Sequence, residues 1–173
     1  NIINNKMSKC VNALAIFDTP EVKGVVKFHE CPSIDGAYVI IKLTGLKPST
    51  KRAMHIHEFG DTRKGCMSLG PHWNPHKTTH GTIFIENMPR HAGDLLNNIE
   101  PDSKGEFSCS YHDPLINISG DIDYSIIGRS VVIHDGIDDL GLGGNEESLK
   151  TGNAGGRMTC AIIGRAEDGE TKI

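Results

Sequence analysis

The sequence predicts an all-β sandwich or barrel, and three observations support this fold class. Short apolar runs alternate with turn residues, glycine is frequent at 20 of 173 residues, and no helical repeat of convincing length is present. Two long polar segments, Glu58 to Asp94 and Asp135 to Arg157, interrupt the strand pattern. Loops of this length inside a compact domain are usually functional or disordered.

The strand candidates follow from apolar residues that alternate with a period of two. Val22 to His29 is a short β-branched run, and the run from Ala37 to Leu43 places every second side chain on one face. Glu30 to Gly36 lies between these runs and is expected to form a turn. Further strands are predicted at residues 115–119, 125–134 and 158–164.

Composition narrows the class of protein. A formal net charge of -4 argues against a general nucleic-acid binder, which is usually basic. The chain has no apolar stretch of about 18 residues that could span a bilayer. Its polar first residues do not resemble a signal peptide, so a cytoplasmic location is expected.

Histidine is the residue type that points to a chemistry. The chain has nine, and six of them fall between His55 and His91. In His55-Ile56-His57 the two imidazoles would leave a strand on the same face, a geometry that suits copper or zinc. A half-exposed strand can also carry two histidines without any metal.

A second spacing suggests a zinc site. His91 and Asp94 are three residues apart around a glycine, and His72 and His80 lie upstream in the same segment. Zinc accepts mixed nitrogen and oxygen ligands in a tetrahedral shell. The alternative for each histidine taken singly is a solvated loop residue, but together they favour a metal.

Several segments in a fixed order resemble the Cu,Zn superoxide dismutase family, cytosolic type, from about Ala13 to Gly164. This resemblance implies an eight-stranded antiparallel Greek-key sandwich or barrel with two long functional loops. The segments are residues 55–61 (HIHEFGD), 65–75 (GCMSLGPHWNP), 91–95 (HAGDL), 126–134 (IIGRSVVIH), 138–141 (DDLG), 143–148 (GGNEES) and 150–157 (KTGNAGGR).

The resemblance implies one copper and one zinc ion per subunit, with His72 bridging the two. The implied copper ligands are His55, His57, His72 and His134. The implied zinc ligands are His72, His80, His91 and Asp94.

Further roles are implied around these ligands. Asp138 would accept hydrogen bonds from His55 and His80 and fix their orientation. Arg157 would orient and neutralise a small anion beside the copper, and His72 would also act in catalysis. The residues implied to steer the anion at the entrance are Glu146, Glu147, Lys150 and Thr151.

The resemblance also pairs Cys66 with Cys160 in a disulfide. Cys10, Cys31 and Cys109 are expected to be free thiols, since an odd cysteine count in an intracellular chain favours reduced cysteines. The pattern assigns no role to His29, His76 or His112.

The implied activity is conversion of superoxide to dioxygen and hydrogen peroxide by a homodimer that cycles a histidine-bound copper ion. The alternative is a copper-delivery or metal-storage protein of the same fold, although all seven ligand positions and Arg157 are present. Residues 13–165 would form the domain, with an N-terminal extension (1–12) and a polar C-terminal tail (166–173).

Some positions depart from the family pattern. Arg165 stands where family dimers place an apolar contact, and the segment Ile83-Phe84-Ile85 belongs to a longer zinc loop. Gly156 and Met158 flank Arg157 where prolines accompany dependence on a copper chaperone in some relatives. Their presence suggests that no copper chaperone is required.

Overall fold

A computed structural model describes residues 9–167. Within this range the regular structure is almost entirely β, with one short helix, α1 (Ser148–Thr151), and a 3-10 turn at Ala92–Asp94. No helix in this range is long and apolar enough to cross a membrane. The strands are β1 (Val11–Asp18), β2 (Lys23–Glu30), β3 (Ala37–Thr44), β4 (Arg52–His57), β5 (Arg63–Cys66), β6 (Asn98–Ile99), β7 (Phe107–Asp113), β8 (Ser130–His134) and β9 (Arg157–Ala166).

Eight of these strands form a nearly closed antiparallel barrel in the order β6-β4-β8-β9-β1-β2-β3-β7. The first three strands follow one another through short turns, and β9 returns to pair with β1. The connections from β3 to β4 and from β6 to β7 cross to the other half of the sheet. These crossings give the Greek-key pattern and confirm the expected fold class.

The barrel interior is a continuous apolar core. Along β3 buried and exposed positions alternate, as expected when one face packs inward and the other meets water. β4 and β8 differ, because from Ala53 onward in β4 and throughout β8 every residue is buried. Met54 and Ile56 face the core, so the long loops must cover the opposite face of β4, which carries His55 and His57.

Some strand predictions were wrong. Residues 115–119 form no strand, although Ile116 and Ile118 are buried and contribute to the core from a loop. The strand predicted at residues 125–134 begins only at Ser130. β1 and β7 were not predicted, although Phe107, Cys109 and Tyr111 in β7 recur every second residue and pack against the core.

The cysteine pairing agrees only in part with expectation. Cys66 and Cys160 form the disulfide that the family resemblance implied. Cys10 and Cys31 are also joined, so the prediction that they are free thiols was wrong. They lie one residue beyond the Val11–Glu30 pair of the β1–β2 ladder, where antiparallel pairing places them opposite each other. Cys109 is free.

Candidate metal centre

Two neighbouring strands position three histidines of the site. β4 pairs with β8, and the alternation of β4 sends His55 and His57 out of the barrel on the same side. The register shifts at the end of β8, where His134 lies opposite Arg157 of β9. A bulge of this kind redirects a side chain, and here it accompanies a histidine that joins the other two. His72 comes from the first long loop, which forms an isolated bridge with His57.

These four histidines form one buried cluster. One ring nitrogen of each lies within 4.8 Å of the other three. Nε2 of His57 is 3.2 Å from Nε2 of His134, and the ring centroids of His55 and His72 are 4.0 Å apart. Four imidazoles around one point form a donor set that suits Cu(II).

In three of these rings, one nitrogen lies within hydrogen-bonding distance of an oxygen atom of the protein. Nδ1 of His57 lies 2.9 Å from the carbonyl oxygen of Gly70, and Nδ1 of His134 lies 3.4 Å from that of Gly155. Nε2 of His55 lies 2.6 Å from Oδ2 of Asp138. If these nitrogens donate, the remaining nitrogen of each ring is an unprotonated donor directed into the cluster.

A second donor set surrounds Asp94. Its Oδ1 lies 3.1 Å from Nδ1 of His72, 2.9 Å from Nδ1 of His80 and 3.0 Å from Nδ1 of His91. The 3-10 turn at Ala92–Asp94 brings the carboxylate back toward His91, whose backbone N–H donates to its Oδ2 at 2.7 Å. Three nitrogens and one oxygen around a point form a donor set that suits zinc.

A close chain approach supports this second set. A Cβ at Gly93 would come within 2.3 Å of the carbonyl oxygen of Ile56 on β4, so only glycine lets the turn lie this near the strand. The turn thereby brings Asp94 against the strand that carries His55 and His57.

His72 belongs to both sets. Its Nδ1 faces Asp94, whereas its Nε2 is buried without a hydrogen-bond partner. Nδ1 of His55 is buried and unpartnered in the same way. An orphaned buried nitrogen is costly unless something binds it, so both atoms fit a site built to hold cations.

Asp138 connects the two sets from the second long loop. Its two oxygens accept hydrogen bonds from Nε2 of His55 at 2.6 Å and Nε2 of His80 at 2.9 Å. The backbone N–H of Leu140 and the side-chain amide of Asn97 donate to the same carboxylate at 2.6 and 3.1 Å. Asn97 was not predicted, and no sequence pattern marks it, because its partners are distant in the chain.

Burial and charge set the protonation of the cluster. Burial lowers the pKa of His55 to about 4, of His72 to about 3 and of His134 to about 4. These rings are therefore neutral near pH 7, the state that a metal ligand requires. Burial opposes the charged form of His80 too, but hydrogen bonds to Asp138 and Asp94 raise its pKa to about 9. A cation bound among these carboxylates would replace that proton.

A cavity of about 460 Å³ opens over the four-histidine cluster, and Arg157 is the cation in its lining. The guanidinium donates to the carbonyl oxygens of Cys66 at 2.8 Å and Gly70 at 2.6 Å, which hold it at the rim. Thr151 and Glu147 also line this cavity.

The remaining two steering candidates lie elsewhere. Nζ of Lys150 and Oε1 of Glu146 form an ion pair at 2.5 Å, and both side chains are largely exposed. They line a neighbouring depression rather than the cavity over the histidines. Because their opposite charges largely cancel, the pair attracts an anion only weakly. The positive charge that an approaching anion meets at the cavity is therefore that of Arg157.

Replacing Asp138 with alanine is expected to weaken the affinity for both metals by about 10- to 100-fold. The variant frees His55 and His80 from the carboxylate that orients them. Competition with a chelator of known affinity measures the change. Asp121→Ala, at an exposed loop position, is the control with the same loss of charge. Affinities within twofold of wild type in Asp138→Ala would show that the carboxylate does not organise the site.

The fold and the site together define an all-β metalloprotein with adjacent four-donor sites that share a histidine. The family described as copper/zinc superoxide dismutase matches residues 22–163. The chain belongs to this family. Copper and zinc, the metals in the family's description, are also the metals that the two donor sets suit.

Individual relatives agree with this assignment. The chain is 47% identical over 155 residues to "Superoxide dismutase [Cu-Zn]" of Candida glabrata, covering 89% of this chain and 97% of the relative. It is 49% identical over 143 residues to the protein of the same description from Saccharomyces cerevisiae, covering 83% and 90%. A Paramecium bursaria Chlorella virus 1 relative is 44% identical, covering 97% of this chain and 86% of the relative.

A solved structure shows the same fold. The crystal structure of the clock protein EA4 superposes with a TM-score of 0.81 at 37% sequence identity. The match covers 91% of this chain and 96% of that chain.

Proposed function

We propose that this chain is a copper/zinc superoxide dismutase, an oxidoreductase that converts superoxide to dioxygen and hydrogen peroxide. The observation that carries the proposal is the place of His72 between a four-histidine cluster and a three-nitrogen, one-carboxylate cluster. Copper would be held by His55, His57, His72 and His134. Zinc would be held by His72, His80, His91 and Asp94.

Bound copper supplies one-electron exchange with superoxide, which no protein side chain of the site offers. The protein holds the donor nitrogens in place through Asp138 and the carbonyl groups of Gly70 and Gly155. Arg157 draws the anion into the cavity and orients it with planar N–H donors. Thr151 and Glu147 shape the rim of the cavity.

His72 also has a part in moving protons. Formation of hydrogen peroxide consumes two protons. His72 is among the residues that line the cavity over the four-histidine cluster. Nε2 of His72 has no protein partner, so when no metal is bound to it this nitrogen can hold a proton and pass it to an anion bound beside Arg157.

Replacing Arg157 with alanine is expected to lower the dismutation rate per copper about tenfold or more, with both metals retained. Arg157 is not a donor to either cluster, but its positive charge attracts the anion. Stopped-flow decay of superoxide, with metal content assayed on the same samples, measures the effect. The wild-type rate should also fall with added salt more steeply than that of the variant.

Two controls sharpen this test. Arg157→Lys keeps the charge but loses the planar fork, so an intermediate rate is expected. Arg63→Ala removes an exposed arginine that pairs with Asp61, and it should leave the rate unchanged. An unchanged rate in Arg157→Ala would remove Arg157 from the proposed mechanism.

We also propose that the chain is a homodimer. Arg165, at the position where the family pattern has an apolar contact, lines a groove with Val11, Ile118 and Ile127. Ile122 lines the same groove and is 83% exposed, so it joins the other apolar side chains of the groove in one patch, a feature that marks interaction surfaces.

Analytical ultracentrifugation tests the dimer. Wild type is expected to sediment at twice the mass of one chain, and Ile122→Asp should weaken the association at least tenfold. Phe84→Asp changes another strongly exposed apolar side chain, outside the groove, and should leave the dimer intact. A monomer at all concentrations would contradict the proposal.

Three finer proposals rest on the sequence. We retain the cytoplasm as the location, which cell fractionation tests. We retain residues 13–165 as the domain; most of the proposed extension and tail lies outside the described residues. Copper loading without a chaperone is proposed from Gly156 and Met158, and full activity after addition of a copper salt alone would support it.

A further inference from the structure

A second cluster of metal-binding side chains lies on the outer face of the barrel. β1 and β2 place Cys10 opposite Cys31 and Asn12 opposite His29. Residues two apart on a strand share a face, so all four side chains lie together. One ligand atom each from Cys10, His29 and Cys31 falls within 4.8 Å of the others. None of the three belongs to the four-histidine cluster or to the cluster around Asp94.

The imidazole of His29 is oriented toward the sulfurs. Its Nδ1 lies 2.8 Å from Oδ1 of Asn12, an acceptor, so Nδ1 carries the proton. Nε2 is then the unprotonated nitrogen, and it lies 3.2 Å from Sγ of Cys31. A ring nitrogen held by an oxygen while the other faces a soft donor is the arrangement that proteins use to orient a metal-binding histidine.

We propose that the dithiol form of Cys10 and Cys31, with Nε2 of His29, binds one Cu(I) ion. Two thiolates and an imidazole form a soft donor set, which favours Cu(I). Within residues 9–167 these are the donors that the cluster offers, one fewer than the four that structural zinc takes. All three side chains are partly exposed, so an ion can enter from solvent.

The disulfide between Cys10 and Cys31 prevents metal binding at this site. In the oxidised state the sulfurs are bonded to each other and are not thiolates. A low-molecular-weight thiol opens it by exchange: two reductant thiols become one disulfide, and Cys10 and Cys31 each gain one proton and one electron. Binding of Cu(I) then releases the two thiol protons. The cluster therefore binds metal only under reducing conditions.

Copper transfer to the reduced, fully metal-loaded chain tests this proposal. Under anaerobic conditions a mild thiol reduces the protein, and peptide mapping after alkylation checks that Cys10–Cys31 is open while Cys66–Cys160 is intact. Cu(I) is supplied as its coloured bicinchoninate complex, and loss of colour measures uptake. The reduced wild type should take up one more Cu(I) per chain than the oxidised wild type.

Variants identify the donors. Cys31→Ser should lose the additional ion, whereas Cys109→Ser, which removes the free cysteine elsewhere in the barrel, should retain it. His29→Gln keeps both thiols and should bind Cu(I) at least tenfold more weakly. Equal uptake by wild type and Cys31→Ser would overturn the proposal. So would unchanged affinity in His29→Gln, or failure of the bond to open in the folded chain.

Discussion

Replacing His72 with alanine is expected to abolish fast dismutation, lowering the rate per chain to that of the metal-free protein. The substitution removes Nε2 from the four-histidine cluster and Nδ1 from the cluster around Asp94. Each site then has three protein donors, so the affinity for both ions should fall together. Stopped-flow superoxide decay and metal content after dialysis against a chelator measure the two effects.

His76→Ala is the matched control for this variant. His76 lies four residues further along the same loop, is exposed, and belongs to neither donor set. It should therefore retain both metals and full activity. If His72→Ala lost copper but held zinc with wild-type affinity, the two sites would not share this histidine.

Removing the disulfide between Cys66 and Cys160 is expected to lower the free energy of unfolding by about 4–5 kcal/mol. The two cysteines are 94 residues apart, so the bond restricts a large loop of the unfolded chain. Equilibrium denaturation by urea of the Cys66→Ser, Cys160→Ser double variant against wild type measures the loss, with both proteins free of metal.

The same bond also supports the active cavity. The carbonyl oxygen of Cys66 accepts a hydrogen bond from Arg157, so the double variant should lose activity as well as stability. Cys109→Ser, at the free cysteine, should change the free energy of unfolding by much less. A loss below about 1 kcal/mol in the double variant would show that the bond adds little to the fold.

The site could be predicted from the sequence where its residues are close in the chain. His55 and His57 are two apart on a strand, and His91 and Asp94 are three apart across a tight turn, so local geometry alone places each pair together. The contact of Asp138 with His55 joins residues 83 apart and followed only from the family resemblance. Asn97, whose contact with Asp138 joins residues 41 apart, was missed.

The errors have a common physical origin. Cys10 and Cys31 were expected to be free because the cysteine count is odd, and their pairing was missed because it depends on the register between β1 and β2, and β1 was not predicted. Residues 115–119 were predicted as a strand because Ile116 and Ile118 are apolar, but a buried loop uses apolar side chains equally well. Local patterns report burial more reliably than they report hydrogen-bonded partners.

The most direct test of the central claim is superoxide decay catalysed by the wild-type chain at known copper and zinc content. The chain loaded with both metals should dismutate superoxide at a rate proportional to bound copper. With the chain loaded with zinc alone, superoxide should decay no faster than it does in buffer without protein. Both metals bound in the two clusters without dismutation would contradict the account and indicate a copper-delivery or metal-storage protein of this fold.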